Sequence, residues 1–216
     1  MNIISFNEET KAVRFVSERI EKELVQRITQ NNYASLILTG GTTVRPFLRS
    51  LSQLDLDWSK VTVILSDERW VSLDNDRSNE KQLQELFLSQ VSRQPNYIRL
   101  KTEAATPEAA IPDLEKKIAS IPQPVTCSLL SMGADGHVAS LFPKGDWGNL
   151  LTWYDLQGEK RISLSLSIFQ KCLNNIVLVN DQRKATLEGI IKRHDLTQPM
   201  LNFSSQVVVF KTGNVH

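Results

Sequence analysis

The segment Gly133-Ala-Asp-Gly-His137 holds the residue types that proton transfer requires. An imidazole exchanges a proton near neutral pH, and a carboxylate two positions away can orient the ring and raise its basicity. Flanking glycines let the backbone turn tightly beside a ligand. The apolar run Val125–Met132 precedes them and reads as a buried strand, which places the histidine at a strand end. In an open parallel sheet that edge is where ligands bind.

Two further strand ends carry polar residues. Thr39-Gly-Gly-Thr-Thr43 follows the short buried strand Ala34–Thr39. Gly40 and Gly41 bare backbone N–H groups, Thr42 and Thr43 add hydroxyls, and the helix start that follows favours an anion. The loop lacks the Gly-Lys-Ser/Thr of a P-loop and the Gly-x-Gly-x-x-Gly of a dinucleotide site. Asp67-Glu-Arg69 follows the strand Val61–Ser66, and Arg69 offers a fork of donors for phosphate or carboxylate. Each loop also has a plain structural reading: a turn at Gly40-Gly41, an ion pair within Asp67-Glu68-Arg69, backbone caps from Asp135 and His137. Three such loops after three buried strands favour one shared site.

The elements that must position these loops alternate in type. Val13, Val16, Ile20, Leu24 and Ile28 form a helical stripe over Asn7–Asn31, with Asn7 as the expected N-cap. Further helices are expected over Arg45–Leu54, Ser78–Val91, Pro107–Ile121 and Lys184–His194, and further strands over Tyr97–Leu100, Arg161–Ser167, Asn175–Asn180 and Gln206–Lys211. The strict alternation of Arg161–Ser167 predicts one polar or half-exposed face. Strands separated by helices predict a Rossmann-like three-layer α/β/α fold with a mostly parallel sheet. No linker divides the chain, so residues 1–216 are expected to form one domain. Lys144–Lys160 is irregular and glycine-containing, and fits either a cover over the site or a surface connection.

Composition narrows the function classes. The 216 residues carry 25 Lys plus Arg against 24 Asp plus Glu, a balance that gives no support for nucleic-acid or anionic-membrane partners. No apolar stretch approaches a membrane span, and residues 1–9 lack the pattern of a signal peptide. Cys127 and Cys172 both lie in apolar surroundings and are expected to be buried thiols of a reduced, cytoplasmic protein. One histidine among scattered carboxylates does not build a zinc centre, so no metal is expected. His194 and His216 are expected at the surface. Gly-x-Ser-x-Gly is absent.

Taken together, Thr39–Thr43, Asp67-Glu-Arg-Trp-Val71 followed by Ser78-Asn79, and Met132-Gly-Ala-Asp-Gly-His-Val-Ala-Ser-Leu-Phe-Pro143 resemble the 6-phosphogluconolactonases, within the glucosamine/galactosamine-6-phosphate isomerase superfamily. Arg161-Ile-Ser-Leu and Arg183-Lys-Ala185 extend the likeness over most of the chain. The resemblance implies metal- and cofactor-free hydrolysis of 6-phosphoglucono-δ-lactone to 6-phosphogluconate in the oxidative pentose phosphate route. It implies His137 as the base that activates water, with Asp135 beside it. It also implies Gly40, Gly41, Thr42, Arg69 and Lys184 around the sugar phosphate. The partner is then a small phosphorylated sugar lactone, and the protein a monomer or small homo-oligomer. Thr39 and Val44 stand where the family has Ser and Pro.

The alternatives are a glucosamine-6-phosphate deaminase/isomerase or a sugar-phosphate-binding domain without turnover. The first uses an Asp-Glu-Tyr loop and an Asn-Glu-Pro after its histidine motif; here Arg69 and Ser140-Leu-Phe-Pro143 stand in those places. The second is expected to carry a DNA-binding helix-turn-helix, and none is evident.

Overall fold

The computed structural model describes residues 1–143 and 150–213. Short runs of β-branched and aliphatic residues form seven strands of one sheet: β1 (Asn2–Phe6), β2 (Ala34–Leu38), β3 (Val61–Leu65), β5 (Asn96–Ile98), β6 (Cys127–Ser131), β9 (Asn174–Asn180) and β10 (Gln206–Phe210). Their spatial order is β1-β10-β9-β6-β2-β3-β5, and every pairing is parallel. The three-layer α/β/α, Rossmann-like expectation holds, with the sheet more regular than "mostly parallel". β2 is buried along its whole length, as a strand covered on both faces must be.

Helices α1 (Glu9–Asn31), α2 (Arg45–Ser52) and α3 (Asn79–Leu83), the last running on as a π-helical turn Gln84–Leu88, form one layer. On the other side Ser35 and Ile37 of β2 face Ile118 of α4 (Pro107–Ala119), Leu164 and Ile168. α5 (Leu166–Lys171) and α6 (Lys184–Arg193) complete the helices.

The sheet's order reverses between β2 and β6. The chain leaves β2 toward β3 and β5, but leaves β6 toward β9, β10 and β1. Loops after β2 and β6 therefore diverge and open a crevice at their carboxyl ends.

A second, three-stranded antiparallel sheet overhangs that crevice: β4 (Asp67–Arg69), β8 (Glu159–Leu164) and β7 (Leu151–Leu156), in the order β4-β8-β7. The sequence places Asp67-Glu68-Arg69 in a loop; three residues are too few to show a period. The polar face expected of Arg161–Ser167 is present as Arg161, Ser163, Ser165 and Ser167, but its centre is not exposed. Ser163, Leu164 and Ser165 are all buried, because this sheet is covered by the main fold. Ser163 lies inside with its hydroxyl donating to the Leu164 carbonyl at 2.9 Å, and Leu166–Lys171 turns into α5. Of the irregular Lys144–Lys160 segment, residues 144–149 lie outside the described residues. Residues 151–160 belong to a β7–β8 hairpin whose turn places Gln157 at φ 55° and Gly158 at φ 87°, so that part is a strand pair and not a cover loop.

Two smaller differences are local. Helix α1 starts one residue later than the Asn7 cap predicts, with Glu8 extended at the N-cap and no side-chain bond there. β1 has no counterpart in the sequence pattern, since an edge strand with an exposed outer face lacks a continuous apolar run. His194 closes α6 in the left-handed conformation and is exposed, while His216 lies outside the described residues. Cys127 and Cys172 are both free and buried; burial pushes Cys127 well above the usual thiol range and Cys172 up to about 12. Among the described residues no helix is long and apolar enough to cross a membrane.

Asn175 of β9 organises a set of polar groups inside the sheet. Asn175 accepts from Ser128 Oγ at 2.7 Å and donates to the carbonyls of Phe169 at 2.8 Å and Ser204 at 2.9 Å. Asn175→Ala removes three hydrogen bonds, two of them buried, and the expected loss is about 1–3 kcal/mol. Urea denaturation should show a lower midpoint with an unchanged m-value.

Candidate active site

The crevice at the β2/β6 switch holds a cavity of about 330 Å³. Thr39–Thr43 line it from β2, Asp67 and Arg69 from β4, and Ser131, Gly133, Ala134, His137 and Ala139 from the loop after β6. Asn79, Arg161 and Arg183 complete it. Thus Gly40, Gly41, Thr42, Arg69 and His137 are brought together from distant parts of the chain. Asp135 stands behind His137 rather than on the lining.

The His137 loop is built on small residues. Gly136 N donates to Gly133 O at 3.1 Å and Gly133 N to His137 O at 2.7 Å, closing a tight turn. Gly136 has φ +95°, and a Cβ there meets Gln198 Oε1 at 2.4 Å and Ile190 at 2.6 Å. A Cβ on Gly133 falls 2.1 Å from His137 Cε1, so the imidazole lies directly on the glycine. Phe142 packs against the ring at 4.9 Å between centroids. Ala139, at φ 54°, adopts a left-handed conformation that sequence rules give no reason to expect of alanine.

Asp135 Oδ1 lies 2.5 Å from His137 Nδ1 and also accepts the His137 N–H at 3.3 Å. Burial pushes the Asp135 pKa up, but the His137 charge and hydrogen bonds outweigh it and hold the carboxyl below its usual range. An ionised acceptor at Nδ1 assigns the proton to that nitrogen and leaves Nε2 as the basic atom.

Arg69 is fixed by the loop after β4 and the start of α3. Its Nη1 donates to Arg77 O at 2.8 Å and Asn79 Oδ1 at 2.5 Å, while Asn79 Nδ2 donates to Asp67 O at 2.9 Å. A Cβ on Gly40 would meet that same Asn79 Oδ1 at 2.0 Å. Glu68 turns away from the cavity. It accepts the N–H groups of Arg69, Asn79 and Glu80 at 2.7, 2.8 and 2.7 Å and anchors the start of α3. Burial raises its pKa against those hydrogen bonds. The expected ion pair within Asp67-Glu68-Arg69 is replaced by these separate roles.

The Gly-Gly loop is held differently from the open anion nest its sequence suggests. Gln82 clasps Gly41, accepting its N–H at 3.0 Å and donating to its carbonyl at 2.8 Å. Nothing in the sequence marks Gln82 for this role. Lys184 is also placed outside the cavity lining: its side chain is 59 % exposed and lies 3.9 Å from Glu188. Its neighbour Arg183 lines the cavity instead, with a guanidinium that donates to Met132 O. Arg161, opposite Arg69 on β8, is a third cation there. Both were inside matched strings, but a helix start and a strand carry no signal for which residue faces a crevice.

A parallel α/β/α sheet with an aspartate–histidine pair and an arginine-lined crevice at its switch point defines a class of small-molecule enzyme folds. A family profile described as glucosamine-6-phosphate isomerases/6-phosphogluconolactonase matches residues 7–200, and the chain belongs to that family. It is similar to the 6-phosphogluconolactonase of Rhizobium meliloti, 38% identical over 144 residues that cover 67% of this chain and 62% of that protein. The match therefore spans about three fifths of that relative's length. A Thermotoga maritima 6-phosphogluconolactonase is 29% identical over 177 residues, 80% of each chain. A crystal structure of a Shewanella baltica 6-phosphogluconolactonase superimposes with a TM-score of 0.87 at 25% identity, covering 99% of this chain and 98% of that one.

The dependence of the Asp135–His137 pair on Gly133 can be measured. Gly133→Ala should displace the ring, and the Asp135 pKa should rise from its depressed value, read by carboxyl NMR titration. In the unmodified chain a depressed folded pKa contributes stability above the unfolded carboxylate pKa; this is lost as pH falls through the folded value. The variant should lose that acid-range contribution.

Proposed function

We propose that this chain is a 6-phosphogluconolactonase, hydrolysing 6-phosphoglucono-δ-lactone to 6-phosphogluconate as one catalytic unit in the cytoplasm. The observation that carries the reading is the Asp135–His137 pair on an arginine-lined cavity, with the His137 Nε2 making no hydrogen bond among the described residues. Family membership supports the substrate class.

The chemistry follows from the parts. A lactone is an activated ester held in a ring, so a water molecule suffices as nucleophile once deprotonated. His137 Nε2 takes the proton while Asp135 stabilises the imidazolium. Negative charge then develops on the carbonyl oxygen. The Gly133 and Gly136 amides are committed inside their loop, so the cavity's guanidinium groups provide the balancing charge. Collapse of the tetrahedral intermediate breaks the ring C–O bond, and the imidazolium returns its proton to the leaving alkoxide. Arg69 and Arg183, with Gly40 and Thr42 of the loop that Gln82 braces at Gly41, bind the phosphate and hold the ring against His137, which lowers the barrier by orientation. Lys184 contributes from outside the lining, as a more distant charge. The deaminase/isomerase alternative is disfavoured by Arg69 in place of tyrosine and by Ser140-Leu-Phe-Pro143 in place of Asn-Glu-Pro.

A coupled assay with fresh lactone, corrected for spontaneous hydrolysis and run beside glucosamine 6-phosphate, tests the reaction class. His137→Ala should lower kcat by about 10²- to 10⁴-fold with folding retained. Unchanged turnover would remove His137 from the base role. Arg69→Ala and Arg183→Ala should raise KM for the phosphorylated lactone more than for gluconolactone, and Lys184→Ala should have the smallest effect of the three. Equal losses on both substrates would mean that the arginines do not read the phosphate.

A further inference from the structure

Arg69 and Arg161 are directly opposed residues on β4 and β8, and both line the cavity. Like charges in that relation repel across the strands, so something must hold the second arginine in place before any ligand arrives. Asp67 is the nearest carboxylate on the lining, but its oxygens are taken by the Ser66 and Ser140 hydroxyls at 2.7 Å each. Glu159 is the carboxylate that meets Arg161. Its Oε1 accepts from Arg161 Nε at 2.9 Å and Nη2 at 2.7 Å.

The same carboxylate reaches outward. Arg77 Nη2 lies 2.5 Å from Glu159 Oε2, an ion pair by distance whose alignment makes no hydrogen bond. Arg77 is also the residue whose carbonyl accepts Arg69 Nη1. Arg69, Arg77, Glu159 and Arg161 thus form one chain of contacts that begins and ends in the cavity. The Glu159 side chain is only 13 % exposed and that of Arg161 16 %, whereas Arg77 is 61 % exposed. Glu159 follows directly on the β7–β8 turn, where Asp155 Oδ1 accepts the Gly158 N–H at 2.7 Å, so its own position is fixed. With Nε and one Nη2 hydrogen engaged, Arg161 Nη1 makes no hydrogen bond among the described residues.

We propose that Glu159 is a positioning residue: gripped by Arg77 from outside, it holds Arg161 across from Arg69 so that the two guanidinium groups form a preformed clamp for the anionic group of the substrate. The proposal rests on the phosphorylated-sugar reading for the identity of that group, and only on anion binding for its physics. Preorganisation matters here because an Arg side chain loses rotamer freedom when it binds, and Glu159 has already removed that freedom. A carboxylate near an anion site would by charge alone weaken anion binding, so the positioning role and simple neutralisation predict opposite signs.

Calorimetry with inorganic phosphate and with 6-phosphogluconate, on the unmodified chain, Glu159→Gln, Arg161→Gln and the double variant, separates them. Glu159→Gln should weaken 6-phosphogluconate binding and raise KM for the lactone by about tenfold with kcat within about threefold, the pattern of lost uniform binding. Arg161→Gln should weaken binding at least as much, and the double variant no further, because Glu159 acts through Arg161. Unchanged or tighter binding in Glu159→Gln, or losses that add in the double variant, would overturn the proposal. Arg77→Gln, at an exposed position, provides a second reading if Glu159→Gln unfolds; it should weaken phosphate binding in the same direction, and unchanged affinity there would count against the relay. A chain that binds 6-phosphogluconate without hydrolysing lactone would sink the lactonase reading and leave the clamp standing. A chain that binds neither phosphate ligand would sink the clamp itself.

Discussion

The buried carboxylate of Asp67 is the interaction on which the crevice depends. It is 5 % exposed, and a charge so placed must have its oxygens satisfied or be expelled. Ser66 satisfies one oxygen from the end of β3, and Ser140 satisfies the other from the loop that carries His137. The Asp67 carbonyl accepts from Asn79, which in turn holds Arg69. One desolvated group therefore sets the distance between the histidine loop and the first arginine. The Ser140 N–H adds a longer bond to Ser163 Oγ at 3.3 Å, which brings β8 into the same assembly. Geometry on loops is usually loose; here it is carried by hydrogen bonds to a group that has nowhere else to find them.

Close approach is the second constraint, and it is met by omission of side chains. Asn79 occupies the space a Cβ on Gly40 would need, and the His137 ring occupies the space a Cβ on Gly133 would need. Neither glycine has positive φ, so conformational freedom is not the reason for them. Gly41, at φ +99° with nothing near its missing Cβ, is the opposite case: there the backbone conformation is what requires glycine. The pair Gly40-Gly41 thus answers two different physical demands in adjacent positions.

Charge in the cavity is arranged asymmetrically. The imidazole–carboxylate pair His137 and Asp135 lies on one loop, whereas Arg69, Arg161 and Arg183 approach from three other elements. Each described guanidinium is tied to a carbonyl, an amide or a carboxylate on its outer side. That arrangement presents cations to a ligand without requiring them to be ordered at the moment of binding, and it keeps cationic groups from competing with the imidazole for its aspartate.

Much of this was legible without coordinates, for identifiable reasons. Buried parallel strands are continuous apolar runs, so β2, β3, β6 and β9 could be read directly, and with them the strand-end placement of Thr39–Thr43 and His137. Asp135 and His137 are two residues apart, so local geometry brought them together. Reading failed where the deciding partner lies far along the chain. β4 is three residues long and exists because β8 pairs with it; the alternation of Arg161–Ser167 lost its meaning once a second sheet was covered; Gln82 clasps Gly41 from another helix. The choice between Arg183 and Lys184 was of the same kind. Adjacent residues at a helix start point in different directions, and only the docking of α6 decides which faces the crevice. Sequence alone determined the long helices, the buried strands and the pairing of Asp135 with His137, because these are set by neighbours within a few residues. Tertiary structure decided which cations face that loop and what holds them there, because those distances depend on contacts across tens of residues that no local pattern encodes.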